Sequence, residues 1–359
     1  MSVNEFGVLA PCGTGTKDVV CNVPAEPAAH GLAELRARFE RTKQVHEAAT
    51  LRFHGVEGYD VYNTSIPFWW QGKRYLFGRV ERREEWARSW VRLFSQTGRD
   101  EWSLVPGSMI WQLEDPYVAI IGGRLVLGGT HVRYRAGAID TYYGYFYRGT
   151  DLSDMYYFTT GPDYMKDIRL VELADGRIGV FSRPRNEAVR ARFGAESQIG
   201  FAVIPDLDHL TAEVVENAPY LPGLFAPGEW GGCNQAYLLD SGRIGVIGHK
   251  CLYEPAGDGV THAVYLNVAF VFDPDAHAVL DMKIIGSRSC YPDGPAKKPE
   301  LADCAFTSGI VMRADGMADL YSGIGDTAEG RIVVPDPFAG YGRIVPGTGN
   351  DSHMEGDGQ

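Results

Sequence analysis

The chain has 359 residues, 45% of them hydrophobic and 12% aromatic, with a formal charge of −12. That is enough apolar material for a large core, and the acidic balance excludes a general nucleic-acid binder, which needs a basic face. The six cysteines (Cys12, Cys21, Cys233, Cys251, Cys290 and Cys304) form no CxxC pair and no zinc-finger spacing. They read as buried thiols in a reducing compartment, and no metal is expected.

The N-terminal run "MSVNEFGVLAPCG" has no basic stretch leading into an apolar one, and no window is apolar enough to span a bilayer. The expectation is a cytoplasmic protein with no membrane association. Residues 1–30 are irregular and rich in Gly, Pro and Ala. Over 31–43, Leu32, Leu35 and Phe39 fall at helical spacing and predict one short amphipathic helix.

From about residue 50, strand-like runs alternate with turns. One turn-and-strand unit recurs five times: "QGKRYLFGR" at 71–79, "GGRLVLGGT" at 122–130, "DGRIGVFSR" at 175–183, "SGRIGVIGH" at 241–249 and "DGMADLYSG" at 315–323. The turn glycines at 72, 123, 176, 242 and 316 lie 51, 53, 66 and 74 residues apart. A period near fifty residues with about four strands per unit is that of a propeller blade. One such sheet cannot bury both faces alone; blades packed around an axis bury them against their neighbours. The expected fold is therefore all-β, a five-bladed β-propeller in a single domain. The expected boundaries are an N-terminal segment with the short helix at 1–49, the five-bladed propeller at 50–335 and a flexible tail at 336–359. A two-sheet sandwich has no need of five similar hairpins.

In a propeller the inner strands all start at one mouth of the central channel, so polar residues at those starts converge in space. Singly, each has a plain structural explanation. Asn63 suits a turn, Arg79 and Glu81 suit a solvated ion pair, and Lys166–Asp167 and Asp326–Thr327 suit turn caps. Structural need alone does not explain their recurrence at equivalent places in every blade.

The stretches "NTSIPFWWQGKRYLFGRVE", "EDPYVAIIGGRLVLGG", "KDIRLVELADGRIGVFSRP", "GRIGVIGHK" and "LYSGIGDT" resemble, in order, signatures of the β-mannoside phosphorylases of glycoside hydrolase family 130. "YDVYNTSIPF", "GRVERR" and "QLEDPYV" are more similar still to a group once called a domain of unknown function, DUF1861, which includes the β-1,2-mannosyltransferase–phosphorylases of glycosyltransferase family 108. The resemblance covers about residues 55–330. It implies a central pocket and inverting phosphorolysis of β-mannosides, above all β-1,2-linked mannooligosaccharides. The product would be α-mannose 1-phosphate, and the reverse reaction would extend a chain. Its partners would be a mannose-containing oligosaccharide with phosphate or mannose 1-phosphate. Inorganic phosphate enters as co-substrate, no cofactor is implied, and GDP-mannose is the alternative donor.

Within that resemblance Asp115 of "EDP" is the implied proton donor, and Glu114 accepts sugar hydroxyls or orients the network. Lys166, Arg183 and His249 are the implied phosphate ligands. Asn63, Arg79, Asp167 and Asp326 are the implied binders of the mannosyl unit. Trp230, like Trp69 and Trp70, either stacks on a sugar or packs in the core, and Asp303 either joins the pocket or ends a strand. One acid suits this chemistry: a glycosidase needs two carboxylates, whereas phosphate is already a nucleophile and asks for one general acid and a cationic seat. The chain departs from family 130 at Tyr117, where an arginine usually follows "EDP", which pulls it toward the transferase–phosphorylase branch. Three other readings stay open: a GDP-mannose-dependent β-1,2-mannosyltransferase, although no GxGxxG follows a strand; a propeller glycosidase; and a non-catalytic carbohydrate-binding propeller.

Overall fold

Each of the five turn glycines sits at the tip of a two-stranded hairpin. In the computed structural model, which describes residues 29–257 and 259–347, Gly72, Gly123, Gly176, Gly242 and Gly316 have φ of 76°, 71°, 82°, 81° and 80°. A side chain is strained in that region and glycine is not. The hairpins pair Phe68–Trp70 with Lys73–Glu81, Glu114–Ile121 with Arg124–Arg135, and Arg169–Glu172 with Ile178–Ser182. The last two pair Trp230–Leu238 with Ile244–Pro255, and Ala305–Met312 with Met317–Ile324. Each hairpin seeds one sheet, and the five sheets make a five-bladed β-propeller. Blade one is widened to six strands, blades two, four and five have four, and blade three has three. Among the described residues there are three α-helices, Leu32–Thr42, Glu187–Phe193 and Ala212–Glu216, the first of them the predicted one.

Two expected boundaries move. Strand Glu47–Thr50, assigned by sequence to the N-terminal segment, pairs antiparallel with Ala328–Pro335 as the outer strand of blade five. It thereby closes the ring. Residues 336–345, assigned to the flexible tail, pack on blade four. Phe338 is fully buried, 6.1 Å from Tyr237, and Ile344 bridges Leu239. Gly245 makes the room, since a Cβ there would come within 2.7 Å of the Phe338 ring. The low average hydrophobicity of the segment hid this one anchoring aromatic. Residues 348–359 of the expected tail lie outside the described residues, as do Cys12 and Cys21.

The apolar core runs between the blades and around the channel, with Ile66, Phe77, Trp111, Leu113, Ile247 and Ile310 in one continuous cluster. Its polar counterpart at the closure is the buried Arg331. Its guanidinium meets Glu47 at 2.7 Å, Asp100 at 2.7 and 3.0 Å, and Asp319 at 3.0 Å, joining blade five to blade one and to the closing strand. Cys233, Cys251, Cys290 and Cys304 are free and buried. No helix among the described residues is long and apolar enough to cross a membrane.

Candidate active site

At one mouth of the channel the blades turn polar side chains inward by the same backbone device. Asn63, Asp115, Asp167 and Asp326, from three different blades and the segment leading into a fourth, have φ of 46°, 48°, 56° and 56°. Asn and Asp tolerate this left-handed region best after glycine, but Asp115 also precedes a proline, which normally forces an extended backbone. In blade two, the strand register slips between Glu114 and Tyr117, where Asp115 sits. In blade four it slips between Cys233 and Gln235, turning Asn234. Such bulges re-aim a side chain at the expense of a ladder bond.

The floor is a carboxylate–guanidinium network. Arg79 Nη1 donates to Asp115 Oδ1 at 2.8 Å, and its Nη2 donates to Glu114 Oε1 at 3.1 Å. Asn63 Nδ2 also donates to Asp115 Oδ1, at 2.9 Å, which leaves Oδ2 available to a ligand. Lys166 Nζ closes on Glu114 Oε2 at 2.6 Å. Behind this layer, Glu81 accepts from Tyr62 at 2.5 Å and pairs with Lys297. Burial drives the Asp115 carboxyl up, but Arg79 and Lys166 overcome it, so it sits below the ordinary range. Asp326 behaves oppositely. Burial, helped by the Asp115 charge and opposed by Arg79, pushes it up to about 6.

The wall from blades three and four is different in character. Arg183 Nη1 lies 3.2 Å from Asp167 Oδ2, and its Nε donates to the Gly231 carbonyl at 3.0 Å. Arg185 lies beyond Pro184 on the same wall. Gly232 keeps the space open: a Cβ there would come within 3.3 Å of both Asp167 Oδ2 and His249 Cε1. His249 Nδ1 is 2.6 Å from Asn234 Oδ1. Burial, more than the opposing pull of Asp167, drives its ring down to about 3, so His249 is neutral and brings no charge to this wall. Asn63 Oδ1, Asp167 Oδ1 and Asn234 Nδ2 are buried without a hydrogen-bond partner. Asp167 Oδ1 has the Arg169 guanidinium 3.5 Å away, and Asn63 Oδ1 faces Gly323 of blade five.

Nine of the eleven predicted site residues line this one cavity of about 320 Å³: Asn63, Arg79, Glu114, Asp115, Lys166, Asp167, Arg183, His249 and Asp326. Two do not. Trp230 is buried and packs on Tyr253 at 4.6 Å and Tyr265 at 5.9 Å, so the core reading holds for it. Asp303 is held 2.5 Å from Arg36 of the N-terminal helix, which turns its carboxylate away from the pocket. The expected grouping of three phosphate ligands also changes, because Lys166 belongs to the Glu114 network while Arg183 and His249 gather around Asp167. The pocket holds more carboxylates than one acid chemistry needs. Arg185, Asn234, Trp86 and Tyr164 went unread in the sequence. Only Arg185 carried a signal, as the second arginine of "RPR" at the end of a predicted strand. A wider cavity of about 680 Å³ beyond residues 85–89 shares Ala87, Glu114 and Val132 with the site and holds none of the other predicted residues. Among the described residues no cluster of three His, Cys, Asp or Glu could hold a metal.

A family model described as a protein of unknown function, DUF1861, matches residues 37–340. The chain belongs to the DUF1861 family. Among solved structures, this DUF1861 chain is 52% identical to MPT-4, a mannose phosphorylase from Leishmania mexicana in complex with phosphate ion. The match covers 89% of this chain and 96% of that one, with a TM-score of 0.84. It is 45% identical to MPT-1, a GDP-Man-dependent mannosyltransferase from the same organism, over 89% and 98% of the two chains at a TM-score of 0.82. A hypothetical protein from Leishmania major is 50% identical over 89% and 99%, at a TM-score of 0.78. No curated protein matches.

Proposed function

We propose that this protein is an inverting β-mannoside phosphorylase, acting in the cytosol on β-1,2-linked mannooligosaccharides and releasing α-mannose 1-phosphate. One observation carries the reading: a carboxylate floor and a guanidinium wall, Arg183 with Arg185, face each other in a single pocket. Guanidinium forks suit phosphate, and water as nucleophile would have no use for them. The relative that is a mannose phosphorylase with bound phosphate supports the same choice. Four free, buried cysteines suit a reducing compartment.

In this mechanism hydrogen phosphate is held by Arg183 and Arg185, and one of its oxygens attacks the anomeric carbon of the terminal mannosyl unit. The carbon–oxygen bond to phosphate forms as the glycosidic bond breaks on the opposite face, and the leaving oxygen takes the proton of Asp115. The proton that phosphate brought then returns to Asp115. Before phosphate enters, Arg79 and Lys166 hold Asp115 ionised. The arriving anion opposes that charge and favours the protonated acid. Asn63 and Arg79 fix the Asp115 carboxyl, and Asp326, near neutrality, serves a sugar hydroxyl as donor or acceptor.

The decisive experiment incubates the protein with β-1,2-mannobiose with and without phosphate, then offers mannose acceptors with mannose 1-phosphate or GDP-mannose. Phosphate-dependent release, and extension from mannose 1-phosphate, is the expected result. Release without phosphate makes it a glycosidase. Extension from GDP-mannose alone makes it a transferase, the second reading, which the 45%-identical relative favours.

A further inference from the structure

We infer that Trp86 and Tyr164 form an aromatic collar that holds the acceptor sugar, the ring that leaves in phosphorolysis and is extended in the reverse direction. The inference rests on the proposed phosphorylase reading and adds to it a subsite.

Nine large hydrophobic side chains stay exposed among the described residues, and three of them, Trp86, Ile139 and Tyr164, sit on the mouth of this one pocket. Exposed apolar side chains scattered singly need no explanation, whereas a group around a polar pocket does. The collar is also held in place. Ala87 and Tyr164 have φ of 54° and 60°, a strained conformation for residues that are neither Gly, Asn nor Asp. The Tyr134 hydroxyl, from blade two, reaches the carbonyls of Trp86 at 2.9 Å and Ala87 at 3.0 Å. The next N–H, that of Arg88, donates to Glu81 at 2.7 Å. Tyr164 is fixed by its N–H to the Tyr142 carbonyl at 2.7 Å and its hydroxyl to the Asp140 carbonyl at 3.0 Å. Strain that the surroundings hold this firmly fixes the backbone that carries Trp86 and the Tyr164 ring before a ligand arrives.

The chemistry of the rings fits a pyranose. The Lys298 ammonium lies 3.8 Å from the Trp86 ring centroid, and the ring stays 45% exposed on the pocket mouth. The C–H face of a sugar is a weakly positive apolar patch, which the electron-rich face of an aromatic ring attracts. Position then selects which sugar. Inversion requires nucleophile and leaving group on opposite faces of the anomeric carbon. The guanidinium wall comes from blade three. Asp115, the group that protonates the leaving oxygen, comes from blade two; Trp86 comes from blade one beside it, and Tyr164, in the connection toward blade three, is held on Tyr142 and Asp140 of blade two. The leaving ring therefore lies against the collar, while a nucleobase, joined through the phosphates, would extend from the wall.

The test compares wild type with Trp86→Ala, Trp86→Phe and Tyr164→Ala in the synthetic direction. The KM for the acceptor mannoside should rise about tenfold in the alanine variants and less in Trp86→Phe. The KM for mannose 1-phosphate should stay within about twofold. An unchanged acceptor KM overturns the collar, and so does a rise in donor KM instead, which would make these rings a platform for the donor or its nucleobase. Calorimetric titration of β-1,2-mannobiose separates this inference from the reading beneath it. If wild type transfers mannose from neither donor but binds mannobiose, and Trp86→Ala loses that binding, the collar stands and the phosphorylase reading falls. If wild type does not bind mannobiose, or Trp86→Ala binds it equally well, the collar is wrong.

Discussion

Asp115 and Asp326 are both buried carboxyls in one pocket, and their neighbours split their protonation. Two cations hold Asp115 low while Asp326 is pushed up to about 6. Divergent carboxyls of this kind carry divided roles. Asp115→Asn keeps the Asn63 and Arg79 contacts in part but has no proton to give. Its turnover should fall by about 10²–10⁴-fold with mannobiose affinity retained by calorimetry; near-normal turnover would remove Asp115 from the chemistry and turn attention to Asp326. Glu329 tests the electrostatics separately. It accepts from Thr64 N–H at 3.1 Å and Ser308 Oγ at 2.7 Å, but burial wins over both bonds and pushes it up to about 8. A raised folded-state pKa means the native state holds the proton more tightly. Stability should therefore decline from about pH 4.5 to about pH 8 as the carboxyl is forced to ionise, at about 1.4 kcal/mol per pH unit at most. Glu329→Gln carries no charge and can keep both contacts. It should melt above wild type at pH 8 and match it near pH 4.5; a pH-independent difference would show that ionisation is not involved. Residue types were legible here and their company was not. The sequence carried Asp115 and Arg183, but that Lys166 answers to Glu114, and that His249 is neutral, depends on contacts between residues far apart in the chain.

At the scale of the element, the turn glycines were readable because a left-handed turn leaves a compositional mark. The left-handed Asn and Asp residues leave almost none, since the same letters serve ordinary turns and caps. The strap bearing Trp86 had no pattern at all; its shape comes from Tyr134 on another blade. Gly323, on the second strand of blade five, shows how closely the seam is fitted. A Cβ there would lie 1.8 Å from Asn63 Oδ1, so Gly323→Ala must displace the amide that steadies Asp115. The Cβ would also lie 2.8 Å from the Asn63 backbone nitrogen, so the melting temperature should fall; turnover measured well below it should drop at least about tenfold while circular dichroism remains that of a folded propeller. Wild-type turnover would mean that the Asn63 contact is dispensable.

For the whole molecule, the blade count was legible from the period, but the closure was not. Strand Glu47–Thr50 pairs with Ala328–Pro335 across most of the described chain, and a four-residue run carries too little alternation to declare its partner. Arg331 secures that seam. Arg331→Ala would remove the cation that Glu47, Asp100 and Asp319 share, leaving Glu47 with Arg99 at 2.6 Å, Asp319 with Arg313 at 3.5 Å and Asp100 without that partner. Removing one partner of a fully buried ionic group costs about 3–5 kcal/mol; the carboxylates left here are 16–36% exposed, so the loss should be smaller and thermal unfolding should begin a few degrees lower. Arg331→Lys should recover little of this, because one ammonium cannot reach three carboxylates in a fork. Equal stability of Arg331→Ala and wild type would show that the strand pairing alone carries the closure.

The same seam sets an order of events during synthesis. Residues 47–50 leave the ribosome long before residues 328–335, and until those arrive the early strand has no edge to join. Asn63 and Thr64 on one side and Gly323 and Glu329 on the other meet only across that late junction. A chain released before blade five would carry Asp115, Arg79 and Arg183 and still lack an assembled pocket. In a series of chains truncated from the C-terminus, sugar binding should therefore be absent in all that end before the Ala328–Pro335 strand and appear in one step once that strand is included, with no graded gain as blades two, three and four are added.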